Sequence, residues 1–163
     1  MGLNAKTVMK IADISPYWGD VHQDLLDLLD RVSDDLLLIR PAERSLSIQQ
    51  MVLEIVHEQR FHVSMLMAKN QYVREHPRDY TSRESLRELL IATWELIDYL
   101  IEPLTDAGLR AVRTLPADPQ NNRPETNVTF AWLLWHALHQ EIFYTGQISV
   151  RLRDYQPPRN PWD

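Results

Sequence analysis

The residues of this sequence that could do chemistry lie on two polar lines, each spaced at steps of three or four. Glu54 and Glu58 share one face of a predicted helix with Met51, Phe61 and Met65. A carboxylate beside large apolar side chains must be hydrated, protonated or met by donors from another helix, because burying it unpaired is costly. These two carboxylates are therefore candidates for a site inside the protein.

The second line runs through the last long apolar segment of the chain. It consists of His136, Gln140, Tyr144, Gln147 and Arg151. Its imidazole, amide and phenol groups are suitable hydrogen-bond donors for the carboxylates of the first line. One interpretation is that both lines face solvent. The other is a pocket between the two helices, since sites in helical bundles are built from facing helices.

Four predicted helices position these lines. Their apolar residues recur at steps of three and four over residues 17–39, 47–70, 82–102 and 129–154. Each amphipathic helix must bury its apolar stripe against the others. The sequence therefore predicts an all-α four-helix bundle that forms a single domain over residues 1–163.

Capping patterns mark the starts of two of these helices. Ser47 with Gln50 begins the second helix, and Thr81 with Glu84 begins the third, in the capping-box spacing that satisfies amides of the first turn. The long connection between the third and fourth helices, residues 105–125, is rich in proline. It is predicted as a loop, with one short turn at its start.

Composition excludes several classes of function. Seventeen basic and twenty-three acidic residues leave a net charge of -6, which disfavours binding to nucleic acid or to anionic membranes. The absence of cysteine excludes disulfides, thiolate metal ligands and a cysteine nucleophile. No segment approaches the ~18 to 20 apolar residues of a membrane span, and the N-terminal residues lack the apolar core of a signal peptide. We therefore expect a cytoplasmic protein without nucleic-acid or membrane partners.

Two segments carry a likeness to a known family. One is SIQQMVLEIVHEQRF at residues 47–61, and the closer one is WLLWHALHQEIFYTGQISVRLR at residues 132–153. The chain resembles the DinB/YfiT-like family, in which a histidine-rich stretch runs into a small residue, Gly-Gln, an apolar residue and a terminal Leu-Arg. The corresponding residues here are Thr145, Gly146, Gln147, Ile148, Leu152 and Arg153. The likeness extends from the first helix to the tail.

The resemblance implies an up-down bundle, often a homodimer, with a divalent metal such as zinc or nickel. In the family one histidine of the second helix and two ligands four residues apart on the fourth helix hold the metal. These positions fall here on Glu54, Gln140 and Tyr144, none of which is histidine. Characterised relatives include thiol-dependent transferases and an isomerase that use low-molecular-weight thiols.

A rearranged metal site is an alternative to the family positions. His57 lies three residues after Glu54, and His136 lies four residues before Gln140, so the alternative ligand set is Glu54, His57, His136 and Gln140. Glu58 or Tyr144 would then be the catalytic proton-transfer group. The predicted pocket as a whole comprises Glu54, His57, His136, Gln140, Tyr144 and Gln147.

The other histidines and the tryptophans of the fourth helix receive simpler interpretations. Four histidines are interpreted as surface or partly buried residues outside the pocket: His22, His62, His76 and His139. Trp132 and Trp135 flank the pocket helix, and one apolar stripe can hardly bury both. We expect one of them to face the partner subunit of a homodimer.

Three hypotheses for function follow. The first is a DinB-like protein without metal, in which Glu54, Gln140 and Tyr144 form a hydrogen-bonded cluster that binds a small ligand. The second is a metal-dependent transferase or hydrolase that uses the rearranged ligand set. The third is a non-catalytic interaction protein that dimerises through an apolar helix face. A tightly held transition metal would favour the second hypothesis over the first.

Overall fold

The computed structural model describes residues 16–67, 73–117, 122 and 124–155. Residues 68–70, the last three of the predicted second helix, lie outside the described residues. Four long helices occupy the four predicted segments, so the predicted all-α four-helix bundle is confirmed. The elements are α1 (Trp18–Leu29), α2 (Asp34–Leu37), α3 (Ile48–Met67), α4 (Arg83–Ile101), α5 (Asp106–Arg110), β1 (Val112–Leu115), β2 (Thr126–Thr129), α6 (Phe130–Tyr155) and a 3-10 turn at Pro77–Asp79.

The helices that carry the two polar lines, α3 and α6, are direct neighbours. Helix α3 packs against α6 and α4, and α1 packs against the same two helices. Gln59 of α3 contacts Glu141 of α6, whereas His62, further along α3, contacts the earlier residue His136. Helices α3 and α6 are therefore antiparallel. Within the described ranges, no helix has the length and apolar character needed to cross a membrane.

The first predicted helix, over residues 17–39, is broken in the structure. Helix α1 ends at Leu29, and Ser33 adopts an extended conformation before the short helix α2 begins. The carboxylate of Asp34 accepts a hydrogen bond from the backbone N–H of Arg83 at 2.8 Å, which ties this turn to the start of α4. The turn also places Val32 and Leu37 in the core. Burial of these two apolar side chains thus stabilises the turn more than an unbroken helix would.

The connection predicted as a loop contains regular structure. Thr105 caps the short helix α5 by accepting a hydrogen bond from the Gly108 N–H at 3.3 Å, in agreement with the predicted short turn. Strands β1 and β2 then pair antiparallel, with Leu115 opposite Thr126. Leu115 is buried against the bundle. The β-branched residues of both strands favour this hairpin, which the many prolines of the segment obscured in the sequence.

The start of α4 allows a direct test of helix capping. The Ser82 hydroxyl accepts a hydrogen bond from the Ser85 N–H at 3.2 Å, so the capping box is formed by this pair rather than by Thr81 and Glu84. We expect Ser82→Ala to lower the free energy of unfolding by about 1 kcal/mol in urea denaturation, because an amide of the first turn loses its acceptor. Ser33 precedes α2 without a side-chain cap hydrogen bond, so Ser33→Ala should change stability by less than about 0.5 kcal/mol. Equal effects of the two substitutions would contradict the assignment.

A layer of buried polar residues divides the apolar core into two parts. One apolar cluster includes Leu25, Val56 and Ile148, and the other includes Trp18, Val63, Ile97 and Leu138. Along each of the four long helices, a buried polar residue lies between members of the two clusters. These residues, which we call the polar layer, are His22, Gln59, Thr93 and Glu141.

Candidate functional site

Glu54 and Tyr144, two of the positions that the resemblance marks as ligands, lie near one another between α3 and α6. Burial raises the pKa of the Tyr144 hydroxyl, the charges of Glu54 and Glu58 raise it further, and Arg74 lowers it. Such electrostatic effects require short distances. Glu54 itself forms a salt bridge with Arg74. The guanidinium of Arg74 therefore balances the charge of Glu54.

His57 lies in the same group of charges. Burial lowers the pKa of its imidazole below the usual 6.5, and the positive charge of Arg74 lowers it further. Glu58, Glu54 and Glu75 act in the opposite direction and raise this pKa. His57 is therefore a neutral imidazole at pH 7, in which state one ring nitrogen can accept a hydrogen bond.

The pKa of His57 gives a prediction with a defined sign. We expect an NMR titration to place the midpoint of His57 below 6.5, and Arg74→Gln to raise it, because a nearby positive charge is removed. A lowered pKa contributes stability that is fully present above about pH 6.5 and is lost as the pH falls through the folded-state pKa. Arg110→Gln, on the distant helix α5, is the control and should leave the midpoint unchanged. A midpoint that fell in Arg74→Gln would contradict this arrangement.

Two of the predicted pocket residues, Glu54 and Gln147, line different grooves. Glu54 and Arg74 line a cleft of about 330 Å³. Gln147 lines a separate groove of about 550 Å³ together with Phe143 and Arg151. Gln140 is half-buried on α6. The structure thus brings Glu54, His57 and Tyr144 together and places Gln147 elsewhere.

A compact group of histidine and glutamate side chains, which could hold a metal ion, lies one helical turn away from the predicted family positions. Glu58 and His62 on α3 and His136 on α6 each offer one ligand atom, and these atoms all lie within 4.8 Å of one another. We call these three residues the ligand triad. Glu58 was predicted as a proton-transfer group and His136 as a ligand. His62 is predicted from the sequence as a surface or partly buried residue outside the pocket, but the structure buries it.

The ring of His62 is held in one tautomer by its own helix. Its Nδ1 lies 2.8 Å from the backbone carbonyl oxygen of Glu58, and because a carbonyl only accepts, Nδ1 carries the proton. The lone pair that a metal ion needs is therefore on Nε2, whereas the nearer Glu58 carboxylate oxygen lies 3.3 Å from Nδ1. Metal-binding histidines commonly donate their other N–H to a backbone carbonyl in this way. The His62 side chain is 1% exposed, so its position is fixed by packing.

His136 is oriented by aromatic neighbours. Its ring stacks on Trp132, with centroids 4.9 Å apart and an angle of 8° between the planes. It meets the ring of His62 edge-on at 5.3 Å. Two imidazoles and one carboxylate form a donor set suited to zinc, iron or nickel, with positions left for other ligands. The residues of the ligand triad therefore fit a divalent ion.

A signal for the ligand triad was present in the sequence. Glu58 and His62 are four residues apart, which places two donors side by side on one helix face. The family likeness points instead to Glu54, one turn earlier on the same helix, and to its neighbour His57. The partner His136 had been identified, but its pairing with His62 depends on how α3 and α6 align.

The polar layer contains a second buried cluster, which the sequence analysis did not predict. The Glu141 carboxylate is fully buried, with one oxygen 2.7 Å from Nδ1 of His22 and the other accepting a hydrogen bond from Gln59 Nε2 at 2.5 Å. The ring of His22 stacks on Trp94 at a centroid distance of 3.9 Å. Both oxygens of Glu141 are engaged, so the cluster ties three helices together.

Comparison with known proteins yields a family and several structural relatives. A family model described as the DinB superfamily matches residues 17–148. The fold is similar to that of a DinB-like protein from Bacillus cereus, with a TM-score of 0.68, 13% identity, and coverage of 91% of this chain and 95% of that one. It is also similar to that of a DinB-like protein from Bacillus subtilis, with a TM-score of 0.65, 21% identity, and coverage of 91% of this chain and 95% of that one. A conserved protein from Enterococcus faecalis has a similar fold, with a TM-score of 0.65, 16% identity, and coverage of 89% of this chain and 96% of that one. No curated protein matches the sequence.

Proposed function

Because the chain belongs to the DinB superfamily, we propose that it binds one divalent metal ion through Glu58, His62 and His136 and uses it in a transfer or hydrolysis reaction. The observation that carries this proposal is the convergence of three ligand atoms within 4.8 Å. The tautomer of His62 supports it, since the proton on Nδ1 faces the Glu58 carbonyl and the lone pair is on Nε2. The ordered ring of His136 supports it as well.

The proposed ligand set is displaced from the family positions along both helices. Glu58 lies four residues after Glu54 on α3, and His136 lies four residues before Gln140 on α6. Because α3 and α6 are antiparallel, both changes move the site in the same direction, by about 6 Å at 1.5 Å per residue. This shift relates Glu58 to Glu54 and His136 to Gln140, whereas the third ligand differs: Tyr144 of the family positions lies on α6 and His62 of the ligand triad lies on α3.

The residues around the ligand triad support a catalytic rather than a structural role for the ion. When bound, such an ion would polarise a substrate oxygen or lower the pKa of a bound water or thiol. Three protein ligands leave positions for substrate, as is typical of catalytic zinc sites. Tyr144 keeps its proton at neutral pH because burial and nearby carboxylates raise its pKa, so it serves as a hydrogen-bond donor.

Metal binding tests the proposal directly. The protein is stripped with a chelator and titrated with Zn²⁺ and Ni²⁺ by calorimetry, with elemental analysis of the product. We expect one tightly bound ion per chain. A protein that retains none after dialysis would overturn the proposal and favour a metal-free pocket, in which Glu54 with its Arg74 partner faces the cleft.

We also propose that the protein forms a homodimer through an exposed apolar stripe on α6. Trp132 is 41% exposed and Trp135 is 56% exposed, so neither is buried within the chain. With these tryptophans the stripe comprises His139, Ile142, Phe143, Gly146 and Val150, at steps of three and four. It runs over 19 residues, from Trp132 to Val150, or about 27 Å along the helix axis. The same stripe on a second copy is its occupant, because a two-fold axis brings identical apolar faces together.

The dimer gives a prediction about mass in solution. We expect light scattering to show a dimer at micromolar concentration and Trp135→Glu to convert it to a monomer, because a charge would be buried in the interface. Tyr99→Glu is the matched control, since Tyr99 is a 74% exposed aromatic residue on α4, outside the stripe. A monomeric unmodified protein, or dissociation by both substitutions, would contradict this interface.

A further inference from the structure

The hydrogen bond between Gln59 and Glu141 joins the two helices that supply the ligand triad. Gln59 follows Glu58 directly and precedes His62 by three residues, whereas Glu141 follows His136 by five residues. At 1.5 Å per residue, Glu141 and His136 are separated by about 7.5 Å along the axis of α6. The hydrogen bond therefore lies level with Glu58 on α3 and between one and two helical turns from His136 on α6.

Apolar packing alone leaves the relative position of α3 and α6 weakly determined. The side chains of both apolar clusters are leucine, isoleucine and valine for the most part, and such residues can exchange neighbours at small cost. A buried polar pair is different, because sliding the helices would leave a carboxylate without its partner inside the core. Buried polar residues are known to fix the register of helices in this way.

A metal site requires that the helices supplying its ligands be placed accurately relative to one another. A slip of one helical turn moves a helix by about 5.4 Å. That distance exceeds the 4.8 Å within which the three ligand atoms now lie. Smaller errors also matter, since zinc–nitrogen bonds are only about 2.0 Å long.

We propose that Gln59 and Glu141 are positioning residues that set the register of α3 against α6 and so hold His136 within reach of Glu58 and His62. This inference rests on the proposed function. Glu141 is not itself a ligand, because one of its oxygens contacts His22 and the other contacts Gln59. The stack of His22 on Trp94 anchors the carboxylate from the opposite side. The role of the cluster is therefore to place the ligand triad.

The test measures Co²⁺ affinity together with the ligand-field absorption spectrum of the bound ion. Gln59→Leu removes the donor to Glu141 and should weaken Co²⁺ binding about 10- to 100-fold, the range for residues that orient ligands, and change the spectrum. Gln59→Asn keeps an amide in the core, but its shorter side chain should lose the hydrogen bond and cause the same changes. This variant replaces Gln59→Leu in the test if Gln59→Leu does not fold. Glu141→Gln keeps an acceptor at the same place and should retain most of the affinity.

Thr93→Val provides the matched control. Thr93 belongs to the polar layer, but its hydroxyl bonds to Leu89 of its own helix and to Arg60, so it joins α3 to α4 rather than to α6. We expect this substitution to leave the Co²⁺ affinity and spectrum of the folded protein unchanged. Unchanged Co²⁺ binding in Gln59→Leu and Gln59→Asn would overturn the positioning role alone. Failure of the unmodified protein to bind Co²⁺ would overturn the proposed function as well.

Discussion

Replacing His62 with alanine is expected to weaken Zn²⁺ binding by a factor on the order of 100 or more, because a three-residue site loses one of its two imidazoles. His62 supplies a buried ring whose tautomer is fixed by the Glu58 carbonyl, so no mobile side chain can replace it at that point. The effect is measured by competition with a chelating dye on protein whose folding is verified by circular dichroism. His136→Ala should have a similar effect from the other side of the site.

Two controls separate the ligand triad from its surroundings. His139 is an exposed histidine of α6 that stacks on Trp135, and His139→Ala should leave Zn²⁺ affinity unchanged. Glu54→Gln alters the family ligand position and removes the partner of Arg74 without touching the ligand triad. If Glu54→Gln lost the ion while His62→Ala retained it, the metal would lie at the family positions and the displaced site would be wrong.

The fold could be predicted from the sequence because its signals are local. The stripes of α3, α4 and α6 recur with helical spacing over many residues, and the predicted capping box of Ser47 and Gln50 is present, with hydrogen bonds of 3.0 and 3.2 Å. The break after Leu29 had no such signal. It depends on a contact between Asp34 and Arg83, which are 49 residues apart in the chain.

The candidate site was harder to predict because it depends on helix rotation. Neighbouring residues on a helix point about 100° apart, so Glu58 and Gln59 face different surroundings although they are adjacent. Glu58 joins His62 and His136, whereas Gln59 enters the core and meets Glu141. The sequence identified a polar line on α6 through Gln140, but the fully buried acid is the next residue.

The partner of Glu54 could not have been predicted from the polar lines. Arg74 lies beyond the end of α3, between the predicted helices at residues 47–70 and 82–102. Its guanidinium balances Glu54 and lowers the pKa of both Tyr144 and His57. The positive charge of Arg74, from a connecting segment, thus offsets the negative charge of Glu54 at the family ligand position. The ligand triad lies one turn further along α3.

Glu141→Ala is expected to lower the free energy of unfolding by about 3 to 5 kcal/mol and the melting temperature by roughly 10 °C, because two buried polar groups lose their partner. The substitution leaves His22 and Gln59 without their common acceptor in the core and opens a cavity between the two apolar clusters. Urea denaturation and calorimetry measure the two quantities.

Two further variants show whether the loss comes from the unpaired polar groups. Glu95→Ala removes an exposed glutamate of α4 and should change stability by less than about 0.5 kcal/mol. The triple variant His22→Leu, Gln59→Leu and Glu141→Leu replaces the whole cluster by apolar groups and should recover much of the stability, because buried polar clusters are often no better than apolar packing. If Glu141→Ala were as stable as Glu95→Ala, the carboxylate would be hydrated, and the polar layer would not hold the helices in register.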